Sequence, residues 1–258
     1  MKEKVLQSWS GGKDAALALH ELHASSEYEV TALLTTVTAE YDRISMHGVR
    51  RVLLERQARD LGLPLHTVLI SADTTDAEYR VKMREELQRH VDAGISCVAF
   101  GDIFLEDVRS YREENLARMD MHALFPLWER DSGELSRSFI EAGFKAIVTC
   151  VDSKALSGSF VGRRFDTGFL SDLPPTVDPC GENGEFHSFV YDGPIFRHAV
   201  EYRKGRVVLR DQRFYYCDLL PPQQTETSEV LKTSEVFEKT KSGVLFRGQH
   251  PASRRPMG

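Results

Sequence analysis

The sequence predicts an α/β protein in which a doubly wound parallel sheet is followed by a smaller α+β unit. Three observations lead to this prediction. Short apolar runs alternate with helical stripes through the first part of the chain, up to about His122. The glycine-rich stretch Ser10-Gly11-Gly12 joins the first apolar run directly to the first helical stripe. Beyond His122 turn residues become frequent, so a second unit of different architecture is expected.

The strands of the first unit are short apolar runs, which lie at residues 4–9, 30–37, 65–70 and 97–100. The second run is rich in β-branched residues, as is typical of a strand buried on both faces, and we expect it to pair in parallel with the first. Helices with one apolar face are expected between the strands, at residues 15–22, 49–61, about 79–94 and 108–119. Right-handed crossovers of this kind bring the carboxyl ends of the strands to one edge of the sheet.

The second unit is expected to contain a helix at residues 134–142 and strands at 146–151 and 186–191. Lys204-Gly205 predicts the turn of a hairpin whose strands are residues 200–203 and 207–209. From residue 223 onward the chain is polar and has too few apolar residues to fold alone. We therefore predict units at residues 1–122 and 123–222 and a flexible tail at 223–258. Docking of this tail on a partner subunit of a homo-oligomer is the alternative.

The amino-acid composition restricts the class of protein to which the chain can belong. The chain has 258 residues, of which 41% are hydrophobic, enough for a substantial core. Its formal net charge of −6 argues against a general binder of nucleic acid or of membrane surfaces. The four cysteines are widely spaced without a C-x-x-C pair, which indicates thiols in a reducing compartment. No apolar run approaches ~18 residues, so we expect no membrane contact and a cytoplasmic location.

The stretch from Ser10 to Asp14 has the chemistry of a phosphate site. Gly11 and Gly12 let the backbone approach an anion, and the amides that begin the following helix point positive charge at it. Ser10 adds a hydroxyl donor and Lys13 a full charge. Asp14 is interpreted as a ligand of Mg²⁺ or as a helix N-cap. The spacing matches neither Walker A nor G-x-G-x-x-G, and an ordinary glycine turn is the alternative.

Three further candidates follow other strands at the same edge. His47 lies in the polar loop after the second strand, and Gly101 and Asp102 follow the fourth strand. A nucleotide on the first loop would bring its ribose or adenine close to Gly101 and Asp102. For His47, a turn histidine bonded to backbone is the alternative, and for Asp102, a helix or turn cap.

An acidic loop lies between strands of the second unit, where Glu182 and Glu185 accompany two glycines. A simple turn needs the glycines but not the acids, so the loop predicts contact with substrate or metal. These carboxylates would hold Mg²⁺, orient ammonia or accept a proton. A solvated acidic turn is the alternative. Cys180, in the same loop, is interpreted as a buried thiol or as a nucleophile.

Two motifs carry a resemblance to a known family. Ser10-Gly11-Gly12-Lys13-Asp14 resembles the S-G-G-x-D-S loop of the N-type ATP pyrophosphatases, with Ala15 in place of the final serine. Gly181-Glu182-Asn183-Gly184-Glu185-Phe186-His187, followed by Tyr191-Asp192-Gly193-Pro194, is similar to a narrower signature, that of the diphthine–ammonia ligase family. The resemblance covers roughly residues 4–220. It implies an N-terminal PP-loop domain of the adenine nucleotide α-hydrolase type, with a HUP or Rossmann-like fold, and a family-specific substrate domain.

The resemblance also implies an activity. Such enzymes cleave ATP to AMP and pyrophosphate, adenylate a carboxylate and form an amide with ammonia. In this family the acceptor is a modified histidine of translation elongation factor 2. Lys13 and Mg²⁺ would stabilise the charge that develops on pyrophosphate, and Asp14 would place the metal. Glu182 and Glu185 would face the substrate as positioning groups or proton acceptors.

The sequence also allows other interpretations of the function. Asn183 and His187 are typical of divergent relatives, so a different carboxylate acceptor is one alternative. A non-catalytic module that senses ATP is another, and Ala15 is its main support. A PP-loop enzyme that modifies RNA would favour paired reactive cysteines and a basic RNA-binding region, and neither is evident in the sequence.

Overall fold

The computed structural model describes residues 2–44 and 47–222, and the predicted tail at 223–258 lies outside them, as do residues 45 and 46. The strands are β1 (Glu3–Ser8), β2 (Tyr28–Thr38), β3 (Arg43–Ile44), β4 (Leu65–Ile70), β5 (Cys97–Ala99), β6 (His122–Leu124), β7 (Lys145–Asp152), β8 (Arg164–Phe165), β9 (Phe186–Asp192), β10 (Arg203–Arg210) and β11 (Phe214–Leu220). The helices are α1 (Lys13–Ala24), α2 (Arg51–Leu61), α3 (Asp76–Asp92), α4 (Glu106–Ala117), α5 (Ser132–Glu141) and α6 (Thr167–Asp172).

The first sheet confirms the predicted fold class. Its parallel strands lie in the order β4-β2-β1-β5-β6, and the short β3 pairs antiparallel with the end of β2. The order of the strands reverses beside β1, since β2 lies on one side of it and β5 on the other. The loops that follow β1 and β5 therefore open the crevice in which ligands of such sheets bind. The edge strand β6 was not predicted, because three residues are too short to show a pattern.

Helices cover both faces of this sheet, which makes it doubly wound. One buried cluster contains apolar residues of α1 and α2, such as Leu19 and Leu53. The other contains Leu87 of α3 and Leu116 of α4. The first cluster also contains Phe189 and other residues of the second unit. The two units therefore share one apolar core on the side of α1. In the part of the chain that is described, no helix has the combination of length and apolarity that a membrane span requires.

The second sheet is antiparallel, with β10 beside β11, β11 beside β7, and both β8 and β9 paired with β7. The predicted hairpin turn at Lys204-Gly205 is wrong. These residues lie inside β10, where the pairing register shifts between Lys204 and Val207. A glycine within a strand commonly marks such a bulge. The chain turns instead at Asp211 and Gln212, whose φ angles are 49° and 50°, and β11 follows.

An ion-pair cluster joins the two units. Asp218 of β11 pairs with Arg43 at 2.8 Å and with Arg50 at 2.7 Å, and all three side chains are at most 16% exposed. Burial alone would raise the pKa of Asp218, but the two arginines lower it below its ordinary value of 3.8. The carboxylate is therefore charged and paired at neutral pH.

We expect Asp218→Ala to lower the free energy of unfolding by about 3 kcal/mol, because it leaves two mostly buried arginines unpaired. Asp172→Ala is the control, since its pair with Arg163 is more exposed and should contribute less than about 1 kcal/mol. Because the folded pKa of Asp218 is lowered, its contribution is present above 3.8 and is lost as pH falls through the folded value. Urea unfolding at neutral and acidic pH measures both effects. Equal losses for the two variants would contradict the prediction.

Candidate active site

The loop between β1 and α1 begins the helix without a side-chain cap from its N-cap residue. Gly11 has a φ of 76°, which glycine adopts without strain. Gly12 is the N-cap of α1, and no side chain caps it from that position. Two hydroxyls lie at the amides here: Ser10 Oγ accepts from Gly12 N at 3.3 Å, and Ser188 Oγ accepts from Lys13 N at 3.1 Å. The Gly12 contact is long enough for an anion to replace the Ser10 hydroxyl there, favoured by the helix dipole, whereas the Lys13 amide is held by the buried Ser188.

Gln57 of α2 holds this loop against the second unit. Its Nε2 donates to Gly11 O at 3.0 Å and to Val190 O at 2.6 Å, and its Oε1 accepts from Trp9 Nε1 at 3.0 Å. Val190 N also donates to Gly11 O, at 2.9 Å. Gln57 is not among the site residues predicted from the sequence. The sequence feature that points to it is the position of a polar residue on the apolar face of the predicted helix, four residues after Leu53.

We expect Gln57→Met to lower the free energy of unfolding by about 3 kcal/mol. The side chain is fully buried, and its loss leaves an indole N–H and two carbonyls with fewer partners. The exposed helical residue Gln88 provides the control, and Gln88→Met should change stability by less than about 0.5 kcal/mol. Chemical denaturation measures both variants. A loss for Gln57→Met no larger than that of the control would show that these hydrogen bonds do not hold the loop.

Lys13 and Asp14 form an ion pair at the start of α1. Lys13 Nζ lies 2.7 Å from both carboxylate oxygens of Asp14. The ammonium also lies 5.6 Å from the ring centroid of Phe186 and 5.9 Å from that of Phe165. Burial alone would lower the pKa of Lys13, but the charge and hydrogen bonds of Asp14, together with weaker negative charges such as that of Glu182, raise it. The side chain of Lys13 is 5% exposed and that of Asp14 is 32% exposed, so the carboxylate is the more accessible partner. Asp14 does not cap the helix.

Two neutral histidines lie beside the loop. The ring of His47, a predicted site residue, is 4.5 Å from the ring of His187, and its Nδ1 is 3.4 Å from Ser188 O. A Cβ at Gly12 would lie 3.1 Å from His47 Cε1, so the ring packs directly on the loop. Burial lowers the pKa of His47 to about 4 and that of His187 well below its ordinary range. Both rings are therefore uncharged near pH 7.

The loop after β5 also packs on the start of α1. A Cβ at Gly101 would lie 2.8 Å from the carbonyl carbon of Asp14, which explains why only glycine fits there. The neighbouring Asp102 pairs with Arg112, whose Nε lies 2.8 Å from its Oδ2. Asp102 is therefore held in an ion pair and is not a helix cap. Both predicted residues lie at the crevice where the order of the strands reverses.

The acidic loop of the second unit is ordered by its own hydrogen bonds. Asp178 Oδ2 accepts from the backbone N–H groups of Cys180 and Glu182 at 3.1 and 2.9 Å. Glu185 is buried, and its Oε1 accepts from Asp178 N at 3.1 Å and from Asn183 Nδ2 at 3.0 Å. The loop is therefore not a solvated acidic turn. Glu185 points into the loop and holds its shape.

The side chain of Glu182 extends from this loop and contacts the first unit. Its Oε1 accepts from Ile103 N at 2.8 Å. Burial and the charges of Asp14 and Asp102 raise its pKa to about 7. The fold thus brings together three carboxylates that lie far apart in sequence. Oxygen donors of this kind suit Mg²⁺, and a carboxyl with a pKa near 7 can exchange a proton at neutral pH.

The cysteines show no reactive environment. All four are buried and free of disulfide bonds. Cys180 Sγ donates to Ser132 O at 3.3 Å, and burial raises the pKa of its thiol well above its ordinary value. A thiol in this state is a poor nucleophile, so Cys180 is a buried structural residue.

Both units of the chain resemble domains of known proteins. Residues 1–122 match the model of the diphthamide synthase N-terminal domain, and residues 131–218 match that of the diphthamide synthase C-terminal domain. The chain is similar to the diphthine–ammonia ligase of Danio rerio, with 28% identity over 76% of this chain and 85% of that protein. It is 26% identical to the Homo sapiens diphthine–ammonia ligase over 78% of this chain and 83% of that protein.

The diphthine–ammonia ligase of Schizosaccharomyces pombe is 27% identical over 81% of this chain. The match spans only 36% of that longer protein. The two family models follow each other in the same order as the two units described above, and they include both the glycine loop and the acidic loop. The chain therefore belongs to the diphthamide synthase family, whose curated relatives are named diphthine–ammonia ligases.

Proposed function

We propose that the chain is an ATP-dependent ligase that joins ammonia to the carboxylate of a diphthine-like side chain and releases AMP and pyrophosphate. The observation that carries the proposal is that Glu182 reaches from the second unit to Ile103, where burial and the charges of Asp14, which follows the glycine loop, and of Asp102 raise its pKa to about 7. This arrangement combines a site for phosphates with a group that can exchange a proton. Membership of the family and the names of the relatives support the same activity.

The chemistry divides into two steps. A carboxylate oxygen of the acceptor attacks the α-phosphorus of ATP, the bond to the β-phosphate breaks, and pyrophosphate leaves. Ammonia then attacks the acyl carbon, AMP leaves, and the nitrogen loses a proton as the amide forms. Without adenylation the leaving group would be oxide, so ATP makes the substitution feasible.

This chain's residues have distinct roles in these steps. The Gly12 amide and the Ser10 hydroxyl bind the pyrophosphate oxygens, and Lys13 balances their growing charge. Glu182 accepts the proton from the attacking nitrogen. Glu185 positions Glu182 by holding the shape of the acidic loop. His47, Gly101 and Asp102 border the nucleoside part of ATP.

Asp14 fits Mg²⁺, since its carboxylate is 32% exposed and lies at the start of α1, beside the proposed phosphate site. Asp14 would be its main protein ligand. Bound there, Mg²⁺ would neutralise charge on the phosphate oxygens.

Two measurements test the proposal. Mg-ATP at ~100 times its dissociation constant should stabilise the wild type by about 2.7 kcal/mol and leave Asp14→Ala unchanged in a thermal shift assay. AMP and pyrophosphate should then form only when both ammonium and a diphthine-bearing acceptor are present. Stabilisation by ATP without AMP formation would favour an ATP sensor instead. A thermal response confined to Ala15→Ser would show that the natural site has lost its nucleotide.

A further inference from the structure

A second cluster of metal-binding side chains lies away from the candidate active site. It consists of His66 on β4 with Glu86 and His90, one turn apart on α3. His66 Nδ1 and His90 Nε2 each lie 3.4 Å from the same oxygen, Glu86 Oε1. The rings of the two histidines are 4.6 Å apart and nearly perpendicular. Three donor atoms from two elements of the fold therefore converge on one point.

Hydrogen bonding does not account for this arrangement. An N–H···O bond is typically about 2.9 Å long, so both 3.4 Å contacts are long. The side chain of His90 is only 6% exposed, and its Nε2 is a buried nitrogen without a hydrogen-bond partner among the described residues. Leaving such a group unpaired is costly, and native proteins usually avoid it. A ligand for this nitrogen is therefore missing from the protein's own atoms.

The distances suit a four-coordinate metal ion. Zinc bonds nitrogen and oxygen ligands at about 2.0–2.1 Å, and a tetrahedron of such bonds has edges of about 3.3 Å. The two measured edges are 3.4 Å. The other oxygen of the carboxylate, Glu86 Oε2, accepts from Arg89 at 2.7 Å, which leaves Oε1 free to bind a metal. Outer contacts of this type orient metal ligands in many proteins.

The cluster opens onto a cavity of about 510 Å³ at the amino-terminal edge of the first sheet. Lys4, Pro64 and Ile95, which lie at or just before the starts of three strands, line it together with His66 and His90. This edge is opposite to the one that carries the glycine loop. The cavity leaves room for a fourth ligand, and the nearby cations Lys4 and Arg89 favour an anionic oxygen ligand there.

We propose that His66, Glu86 and His90 form a zinc site with one coordination position open to the cavity. Two imidazoles and one carboxylate with an open fourth position form a ligand set that zinc accepts. A bound ion would join β4 to α3 and stabilise the first unit.

A second triad provides an internal comparison. Glu3, Cys97 and His122 also lie close enough to share an ion. Here His122 Nε2 is 3.1 Å from Glu3 Oε1, which is within hydrogen-bonding range, and burial raises the pKa of Cys97 to about 12. The thiol is therefore protonated at neutral pH, and this triad is the weaker candidate.

The test uses the full chain, freed of metal by dialysis against a chelator and titrated with Co²⁺, a visible probe for zinc sites. We expect one equivalent of Co²⁺ with the strong visible bands of a four-coordinate ion, and displacement by Zn²⁺. Glu86→Gln preserves side-chain shape and His66 is 42% exposed, so Glu86→Gln and His66→Ala should fold and weaken binding roughly tenfold or more. Cys97→Ser should bind as the wild type does.

Thermal unfolding gives a second readout that does not depend on the Co²⁺ spectrum. Zn²⁺ should raise the unfolding temperature of the wild type and of Cys97→Ser, and this shift should disappear in Glu86→Gln. The proposal would be overturned if the wild type bound no Co²⁺. It would equally be overturned if Glu86→Gln and His66→Ala bound like the wild type, or if only Cys97→Ser lost binding.

Discussion

Replacing Lys13 with methionine should lower kcat for AMP formation about a hundredfold to a thousandfold, the usual effect of removing a charge-stabilising donor. Lys13 is the buried cation at the start of α1, where pyrophosphate oxygens would gather negative charge. Methionine retains the length and apolar contacts of the stem but supplies no charge. Asp14, which loses its partner, is 32% exposed and can be hydrated, so the variant should remain folded.

The control for this variant is Lys145→Met, whose lysine forms an exposed ion pair with Asp192. Its kcat should equal that of the wild type. Asp14→Ala provides a contrast in stability, because it leaves the buried ammonium of Lys13 unpaired and should destabilise by about 3 kcal/mol. Radiolabelled ATP and separation of the nucleotides measure AMP directly. An unchanged kcat in a folded Lys13→Met protein would remove Lys13 from the mechanism.

Glu182→Gln should lower the rate of amide formation about a hundredfold at pH 8, which is typical of losing a positioned proton acceptor. In the wild type the rate should rise as pH passes about 7, since burial and the charges of Asp14 and Asp102 raise the pKa of Glu182 to that value. When the concentration of free ammonia is held constant across the pH series, the glutamine variant, which cannot ionise, should lack this limb. Glu141→Gln, a change at an exposed glutamate of α5, should preserve both the rate and the pH profile.

The pH dependence of stability shows whether Glu182→Gln loses activity through its chemistry or through unfolding. The folded pKa of Glu182 lies above its ordinary value of 4.5, so the folded state binds the proton more tightly than the unfolded chain does. Stability should therefore fall as pH rises from 4.5 to about 7, and Glu182→Gln should remove that loss. A glutamine variant at least as stable as the wild type at pH 8 is expected. A pH limb that persists in this variant would assign the ionisation to another group.

Much of the first unit follows from local sequence pattern. The alternation of apolar runs and helical stripes predicts β1, β2, β4 and β5 with the helices between them, because each pattern reflects burial of one element's own face. The glycine loop is equally local, since Ser10 to Asp14 are consecutive. The hairpin was misplaced because Lys204-Gly205 has turn chemistry but lies in a bulge, whereas Asp211 and Gln212 turn without glycine.

The contacts of the candidate site could not be predicted in this way, because they join residues that are distant in sequence. Glu182 meets Ile103 across 79 residues, Gln57 meets Val190 across 133, and Lys13 meets Ser188 across 175. No periodicity encodes such pairs. Gln57 shows the limit most clearly, since a polar residue on an apolar helix face signals a buried partner but not which one.

Local sequence pattern predicts a glycine loop at the start of the first helix of a parallel sheet and an acidic loop in a second unit. The two motifs together also indicate the family. These features depend on neighbouring residues and on the alternation of polar and apolar positions. Local pattern does not predict that Glu182 contacts Ile103, that Lys13 is buried near Phe186, or that His66 lies close to Glu86 and His90. The burial and charge of these groups result from how the two sheets and their helices pack, and that packing joins residues distant in sequence.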